Sequence, residues 1–254
     1  MRVNRANFEM IQSEYDIKKL MAETAHRLYD KQLVAAKHGN ISYKLSDKEF
    51  LVTPRGVCKY RLTPDMIVKV DASGKKIGGG MYEPTSEAKL HILMYSLRPD
   101  IKAIVHAQPN VATAYAIKGV NVDNCVLPEN KTYLGVVPAG SYNKTENTAD
   151  ETFKSVLANH CAFLFGGNSA FAVADTLDNA FDNIDACEYY CRMNAVGAAV
   201  DAMRGQFSQT KSGSCCCEGT KAPAATAGPV ALSPENQRKV DEVTAKILAE
   251  LYAN

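Results

Sequence analysis

The sequence lacks an excess of charge of either sign. Its 254 residues include 29 basic and 28 acidic side chains, which leaves a formal net charge of +1. This balance gives no electrostatic reason to expect a nucleic acid or an anionic membrane surface as a partner. No apolar run reaches the roughly 18–20 residues that cross a bilayer, so the sequence also predicts no membrane span.

A secretory signal is also absent, since residues 1–15 have mixed charge and no apolar core. Cys215–Cys217 are adjacent, and neighbouring cysteines cannot easily join distant elements. The other cysteines are scattered through apolar segments, as Cys58, Cys125, Cys161, Cys187 and Cys191. We therefore expect reduced cysteines and a cytoplasmic protein rather than a disulfide scaffold.

Hydrophobic spacing predicts helices and short strands in one domain over residues 1–204, without an internal repeat. The predicted helices cover residues 11–35, 86–97, 110–117, 151–159 and 176–203. The predicted strands cover residues 41–45, 49–53, 67–71, 76–79, 103–108 and 161–165. Ser86 is expected to be the N-cap residue of the second helix.

The composition changes near Gly205. Residues 205–231 are rich in Ser, Gly, Ala, Pro and Thr, a composition that is typical of a linker. The Cys215–Cys217 triplet lies within this segment. Residues 232–254 have the start signals and apolar stripe of an amphipathic helix. This helix either packs on the parent fold or, because it resembles the encapsulation peptides of bacterial microcompartment enzymes, contacts a shell. The cysteine triplet has no C-x-x-C spacing, and we expect no metal or redox role for it.

His106 is the histidine best placed to carry chemistry, because it lies near the end of an apolar strand with Gln108 two residues on. Residues i and i+2 of a strand point to the same face, so both side chains can reach one point. A strand supplies two ligands to one metal in this way, although an amide oxygen binds zinc less well than an imidazole. His160, at a predicted helix-to-strand junction, is either a cap or a further site residue.

Two turns have a composition that suits an anion site. The turn Thr53–Gly56 (TPRG) follows a strand and places backbone N–H groups beside a guanidinium. The turn Pro84–Glu87 (PTSE) places the hydroxyls of Thr85 and Ser86 at a predicted helix N-terminus. Both arrangements suit a phosphate, although each also occurs as an ordinary capped turn. Glu87 is either a favourable partner of the helix dipole or a general acid–base group.

Taken in order, these motifs resemble those of the class II aldolase/adducin family over about residues 10–205. The motifs are HGNIS at 38–42, TPRG at 53–56, PTSE at 84–87, HAQP at 106–109 and NH at 159–160. The family includes L-fuculose-1-phosphate aldolase, L-rhamnulose-1-phosphate aldolase and L-ribulose-5-phosphate 4-epimerase. The resemblance implies an α/β fold, a three-layer α/β/α sandwich around a mostly antiparallel central sheet, in a homotetramer.

The resemblance also implies a role for each motif. It implies a divalent metal, with zinc as the expected ion, held by His106 and His160. Gln108 lies at the position of the second metal histidine. Glu87 matches the proton shuttle of the family. The positions matched to the substrate phosphate are Asn40, Arg55, Gly56, Thr85 and Ser86.

Three residues depart from the family pattern. Gln108 replaces a histidine, which shifts the expected metal preference toward harder cations such as manganese or magnesium. Arg55 replaces a small hydroxyl residue, and it either strengthens the anion site or fills it with its own side chain. Cys161 stands where a glycine often follows the third histidine.

The reaction implied by the resemblance is metal-dependent cleavage of a ketose 1-phosphate into dihydroxyacetone phosphate and an aldehyde. Glu87 would move the proton on the enediolate, and the phosphate would supply binding energy remote from the reacting end. Two alternatives stay open. One is a sugar-phosphate 4-epimerase that uses the same bond cleavage, and the other is a non-catalytic adducin-like domain that has lost full metal binding.

Overall fold

The computed structural model describes residues 13–122, 128–140, 151–165 and 169–205. The chain divides into two compact units, residues 1–196 and residues 197–254. All strands described below belong to the first unit, and the described part of the second unit is the end of a helix. No helix within the described ranges is long and apolar enough to cross a membrane. The predicted linker, beyond residue 205, and the predicted helix over 232–254 lie outside the described residues.

The helices begin and end at recognisable local signals. The hydroxyl of Ser13 accepts from the backbone N–H of Asp16, whose carboxylate accepts from the backbone N–H of Ser13, so a capping box starts the first helix. Gly119 ends the third helix in the left-handed conformation that glycine adopts most easily. The described helices are α1 (Glu14–Asp30), α2 (Ala88–Leu97), α3 (Asn110–Lys118), α4 (Pro128–Tyr133), α5 (Glu151–Asn159) and α6 (Leu177–Gly205).

The described strands form one eight-stranded sheet. They are β1 (Asn40–Lys44), β2 (Glu49–Val52), β3 (Val68–Asp71), β4 (Lys76–Gly78), β5 (Ala103–Ala107), β6 (Ala139–Gly140), β7 (Ala162–Phe165) and β8 (Ser169–Ala174). Their order is β4-β3-β2-β1-β5-β8-β7-β6, and the pairs are antiparallel except for β6 with β7. β5 therefore lies inside the sheet, with β1 on one side and β8 on the other.

Both faces of the sheet are mostly apolar and buried around its central strand β5. Val105 on β5 belongs to a hydrophobic cluster that includes residues of α1, α3 and α6. Its neighbour Ile104 belongs to a second cluster that includes residues of α2 and α5. The two residues enter different clusters because successive side chains of a strand point to opposite faces.

The predicted α/β class and the mostly antiparallel sheet are confirmed, and each predicted strand is present. Hydrophobic spacing did not predict α4, β6 or β8. A hairpin signal for β8 exists in the sequence, where Gly-Gly-Asn at 166–168 separates two apolar runs. The predicted Ser86 cap is wrong, because α2 begins at Ala88 with Glu87 as its N-cap residue.

Gly39, between α1 and β1, has a φ of +70° and no room for a side chain. A Cβ there would lie 2.6 Å from Val34 Cγ1 and 2.7 Å from the carbonyl oxygen of His106. We expect Gly39→Ala to lower the free energy of unfolding, measured by urea denaturation, by more than the ~1–3 kcal/mol of left-handed backbone strain alone. Gly119→Ala is the matched control, because φ is +63° there and no described residue beyond the excluded neighbours lies within 4 Å of the added Cβ. Equal losses in the two variants would contradict this steric explanation.

Candidate active site

Most of the predicted site residues surround one cavity of about 530 Å³, beside the end of β5. The predicted residues that line it are Asn40, Arg55, Gly56, Thr85, Ser86, Glu87, His106 and Gln108. Lys37, His38 and Thr113 line it as well. The sequence motifs, far apart along the chain, are thus brought together by the sheet and by the turns at its edge.

Glu87 and His106 form a hydrogen-bonded pair in this cavity. Glu87 Oε2 lies 2.5 Å from His106 Nδ1, and Asn40 Nδ2 donates to the same oxygen at 2.7 Å. An ionised carboxylate can only accept, so His106 carries a proton on Nδ1 in this pair. The carboxylate therefore has two donors that fix its position.

The same contacts keep Glu87 ionised. Burial by itself raises the pKa of the Glu87 carboxyl, but the hydrogen bonds from His106 and from the Asn40 amide lower that pKa to about 2. Glu87 is therefore a carboxylate at neutral pH, beside an imidazole that is almost fully buried. A charged oxygen in such a cavity is a group that can take up or return a proton.

Strand pairing sets the geometry of this pair. Asn40 on β1 lies directly opposite His106 on β5, and Phe171 on β8 lies opposite His106 on the other side. The rings of His106 and Phe171 stack, with centroids 4.3 Å apart and an interplanar angle of 5°. The stack and the Nδ1 contact fix the ring so that its Nε2 accepts from Gln108 Nε2 at 3.2 Å.

Three buried polar atoms of the cavity residues have no hydrogen-bond partner in the described part of the chain. They are Asn40 Oδ1, Gln108 Oε1 and Thr113 Oγ1. Buried polar atoms without a partner are uncommon, because each loses its hydrogen bonds to water and gains none within the protein. A ligand that donates hydrogen bonds, such as a polyhydroxylated molecule, would stabilise these atoms.

The two predicted anion turns lie side by side. Pro54 and Pro84 form an isolated antiparallel bridge. The backbone N–H of Arg55 donates to the carbonyl of Glu83, and that of Thr85 donates to the carbonyl of Thr53. Those two N–H groups are therefore used within the protein. An anion at these turns would therefore bind mainly to side-chain hydroxyls and cationic side chains, and less to backbone N–H groups.

The charge around the cavity is unevenly distributed. Lys37 and Arg55 are exposed lining residues, whereas Thr85 is buried. Among the described residues that line the cavity, Glu87 is the only acid. A cavity that combines two cations with one deep carboxylate favours an anionic ligand whose charge lies away from Glu87.

His160 lies outside this cavity, so its predicted convergence with His106 is wrong. β5 and β7 both pair antiparallel with β8 and therefore run in the same direction. Phe171 on β8 pairs with His106 on one side and with Phe163 on the other, so His106 and Phe163 lie at the same level of the sheet. His160 precedes Phe163 by three residues, which is a distance of roughly 10 Å along the strand direction. His160 is half-buried, hydrogen-bonds to the backbone of Val136, and has a pKa that burial lowers.

Comparison with known proteins decides the family. The family described as Class II Aldolase and Adducin N-terminal domain matches residues 19–195. The chain belongs to this class II aldolase/adducin family. Most of the sequence, including the motifs that form the cavity, therefore lies within the matched region.

Individual relatives of this class II aldolase/adducin member have different activities. The chain is 34% identical over 157 residues to L-fuculose phosphate aldolase of Methanocaldococcus jannaschii, with 59% of this chain and 83% of that protein covered. It is 28% identical over 177 residues to 3-oxo-tetronate 4-phosphate decarboxylase of Haemophilus influenzae, with 67% and 83% covered. The crystal structure of L-fuculose-1-phosphate aldolase from Thermus thermophilus is similar with a TM-score of 0.62 at 25% identity, over 72% of this chain and 95% of that one.

The metal implied by the family resemblance needs a suitable set of donors. In the described ranges, no three histidine, cysteine, aspartate or glutamate side chains are grouped so as to hold a metal ion. The donors brought together here are one imidazole, one carboxylate and two amide oxygens, from His106, Glu87, Asn40 and Gln108. Catalytic zinc takes three protein ligands, with imidazole prominent among them. The described residues of this class II aldolase/adducin member therefore do not fit the predicted zinc centre of His106, Gln108 and His160.

Several residues in or beside the cavity were missed by the sequence analysis or given no role there. Phe171, which orients His106, lies on the unpredicted strand β8, and the hairpin signal before that strand could have placed it. His38 was noted only as the first residue of the HGNIS motif. Lys37 and Thr113 have no local signal, because the tertiary fold alone brings them to the cavity.

Proposed function

We propose that the chain is a lyase that breaks a carbon–carbon bond near the ketone of a small sugar phosphate and forms the enediolate of dihydroxyacetone phosphate. The favoured substrate is a ketose 1-phosphate, cleaved between C3 and C4 to dihydroxyacetone phosphate and an aldehyde. The observation that carries this proposal is the ionised Glu87 carboxylate, held by His106 and Asn40 in a cavity with a basic rim.

The activities named for two relatives support the same intermediate. Cleavage of a fuculose phosphate expels an aldehyde, whereas loss of carbon dioxide from a 3-oxo-tetronate 4-phosphate leaves a three-carbon ketone phosphate. In each reaction the electrons of the broken bond form an enediolate that must be protonated on carbon. A decarboxylase that acts on a phosphorylated keto acid is therefore the second candidate, and the 4-epimerase alternative shares the bond cleavage.

Within this proposal each part of the cavity has a task. Glu87, a carboxylate at rest, takes the proton of the C4 hydroxyl as the C3–C4 bond breaks and then gives that proton to the enediolate carbon. In the reverse direction it removes the proton from that carbon. His106 and Asn40 hold the Glu87 carboxylate in place. The unpartnered oxygens of Asn40 and Gln108 accept hydrogen bonds from substrate hydroxyls.

The substrate phosphate is proposed to bind at the two joined turns. The hydroxyls of Thr85 and Ser86 and the backbone at Gly56 would contact its oxygens. The Arg55 guanidinium, exposed beside the cavity, and the Lys37 ammonium would supply the opposite charge. In this arrangement the phosphate would lie apart from the Glu87 carboxylate, which lowers the repulsion between the two anions.

A divalent metal, either zinc or the harder manganese or magnesium, and a homotetramer are further predictions for this chain. So are the three-layer arrangement, the domain boundary at residue 204, the cytoplasmic location, and a shell contact through residues 232–254.

Deuterium exchange tests the proposal without knowledge of the leaving group. The purified chain in D2O should replace hydrogen by deuterium on the hydroxymethyl carbon of dihydroxyacetone phosphate, as detected by proton NMR. The experiment is run after chelation and again with zinc, manganese or magnesium added, so that it also reports metal dependence. Unphosphorylated dihydroxyacetone should exchange poorly, because the binding energy of the phosphate is lost. Absence of exchange under all conditions would favour the non-catalytic adducin-like alternative.

A further inference from the structure

A second polar contact joins α2 to β1 next to the Glu87 site. Ser42 Oγ lies 2.6 Å from His91 Nδ1, and both side chains are fully buried. Ser42 is two residues beyond Asn40 on β1. His91 lies on α2, four residues beyond the N-cap residue Glu87. Two strand residues span about 6.6 Å and four helical residues about 6.0 Å. The contacts Asn40–Glu87 and Ser42–His91 are therefore matched in spacing, and we refer to these four residues as the α2–β1 ladder.

The backbone links the two contacts of the α2–β1 ladder. The backbone N–H of His91 donates to the carbonyl oxygen of Glu87 at 3.1 Å. Glu87 is the N-cap residue of α2, yet its side chain makes no capping hydrogen bond to that helix. The position of its carboxylate therefore depends on where the start of α2 lies over β1, and the Ser42–His91 contact restrains that position.

Packing alone does not explain a histidine at this place. Burial lowers the pKa of His91 to about 3, so the ring is neutral. Its Nε2 has no hydrogen-bond partner among the described residues. Apolar side chains of similar shape would avoid this unsatisfied group at little cost in stability. A directional hydrogen bond differs from apolar packing because it selects one alignment of helix and strand.

We propose that His91 and Ser42 are positioning residues that hold the Glu87 carboxylate against His106 and Asn40. Neither residue is among the described residues that line the cavity, so both act through Glu87 and not on the substrate. The kinetic part of this inference rests on the proposed function. Its spectroscopic part depends only on the contact between Glu87 and His106.

Ser42→Ala is the first test. We expect kcat for deuterium exchange into dihydroxyacetone phosphate to fall by about 10–100-fold, as for a small misplacement of a reacting group. KM should stay within about twofold, because the two turns are unchanged. Tyr95→Phe is the matched control, since it removes a hydroxyl 2.8 Å from Ser42 Oγ and leaves the Ser42–His91 bond intact. This control should have a comparable melting temperature to Ser42→Ala and a kcat near that of the unsubstituted chain.

A pair of substitutions at His91 decides the question if Ser42→Ala does not fold. At position 91, the side-chain amide of asparagine would lie where Nδ1 of His91 lies, next to Ser42. The amide of the longer glutamine would lie where Nε2 of His91 lies. We expect His91→Asn to keep the bond to Ser42 and most of kcat, and His91→Gln to lose both. Equal kcat in the two variants would overturn the inference.

NMR of the His106 ring supplies a readout that does not need activity. The Nδ1 proton, bonded to Glu87, should resonate far downfield in the unsubstituted chain and in Tyr95→Phe, and move upfield in Ser42→Ala. An unmoved proton and an unchanged kcat in Ser42→Ala, or equal losses in Ser42→Ala and Tyr95→Phe, would overturn the inference. If the unsubstituted chain shows no exchange, the proposed function fails and the position of this proton alone decides the role of Ser42 and His91.

Discussion

Glu87→Gln is expected to slow deuterium exchange into dihydroxyacetone phosphate by about 10²–10⁴-fold, the usual contribution of a positioned acid–base group. Glutamine has nearly the same size, and its carbonyl oxygen can still accept from the Asn40 amide. The substitution removes the charge and the basic oxygen, so the side chain can no longer carry a proton to carbon. KM should change little, because the phosphate is proposed to bind at the turns and not at this carboxylate.

Glu83→Gln is the matched control for this experiment. Glu83 lies four residues before Glu87, and its carboxylate is mostly exposed and pairs with Lys76 at 3.2 Å. Its loss should leave the exchange rate unchanged. Exchange at the full rate in a folded Glu87→Gln protein would assign proton transfer to another group and contradict the proposed role.

Gln108→His should raise the affinity for zinc by about 10–100-fold or more, since changes even to the groups around metal ligands have effects of this size. His106 is already arranged as a metal-binding histidine would be, because its Nδ1 faces the Glu87 carboxylate and its Nε2 faces residue 108. In the chain as it stands, the Gln108 amide contacts that Nε2. A histidine at 108 would replace this contact with a second imidazole on the same face of the strand end.

Calorimetric titration with zinc, on the parent and the variant at neutral pH, measures this effect. Asn110→His is the control, because it adds an imidazole at an exposed position at the start of α3 and not beside His106. Zinc affinity no higher in Gln108→His than in Asn110→His would show that His106 and residue 108 do not form the start of a metal site.

The sequence predicted most of the polar residues that line the cavity, because these residues belong to short motifs. Thr85, Ser86 and Glu87 are contiguous, and His106 and Gln108 are separated by one residue, so local geometry relates them. The short apolar segments at β1 and β5 were also sufficient to place these strands. The sequence could not show that Asn40 lies opposite His106, because strand register depends on the pairing of distant segments.

The error at His160 has one structural cause. The expectation for His160 came from the family resemblance, which matched it to the third metal histidine. β5 and β7 both pair antiparallel with β8 and run in the same direction, so the start of β7 lies at the opposite end of the strands from His106. The apolar run Ser169–Ala174 was not recognised as a strand because half of its six residues are alanine, which is depleted in strands.

The pairing of Asn40 with His106 has a consequence for how this scaffold could diversify. Asn40 and His106, which hold the proposed acid–base residue Glu87, are spaced by the register of neighbouring strands, whereas the residues proposed to bind the phosphate belong to turns. Turns tolerate insertions and replacements that a central strand does not. New substrates could thus be accommodated by exchanging residues such as Arg55, while the spacing of Asn40 and His106 around the proposed proton-transfer group stays constant.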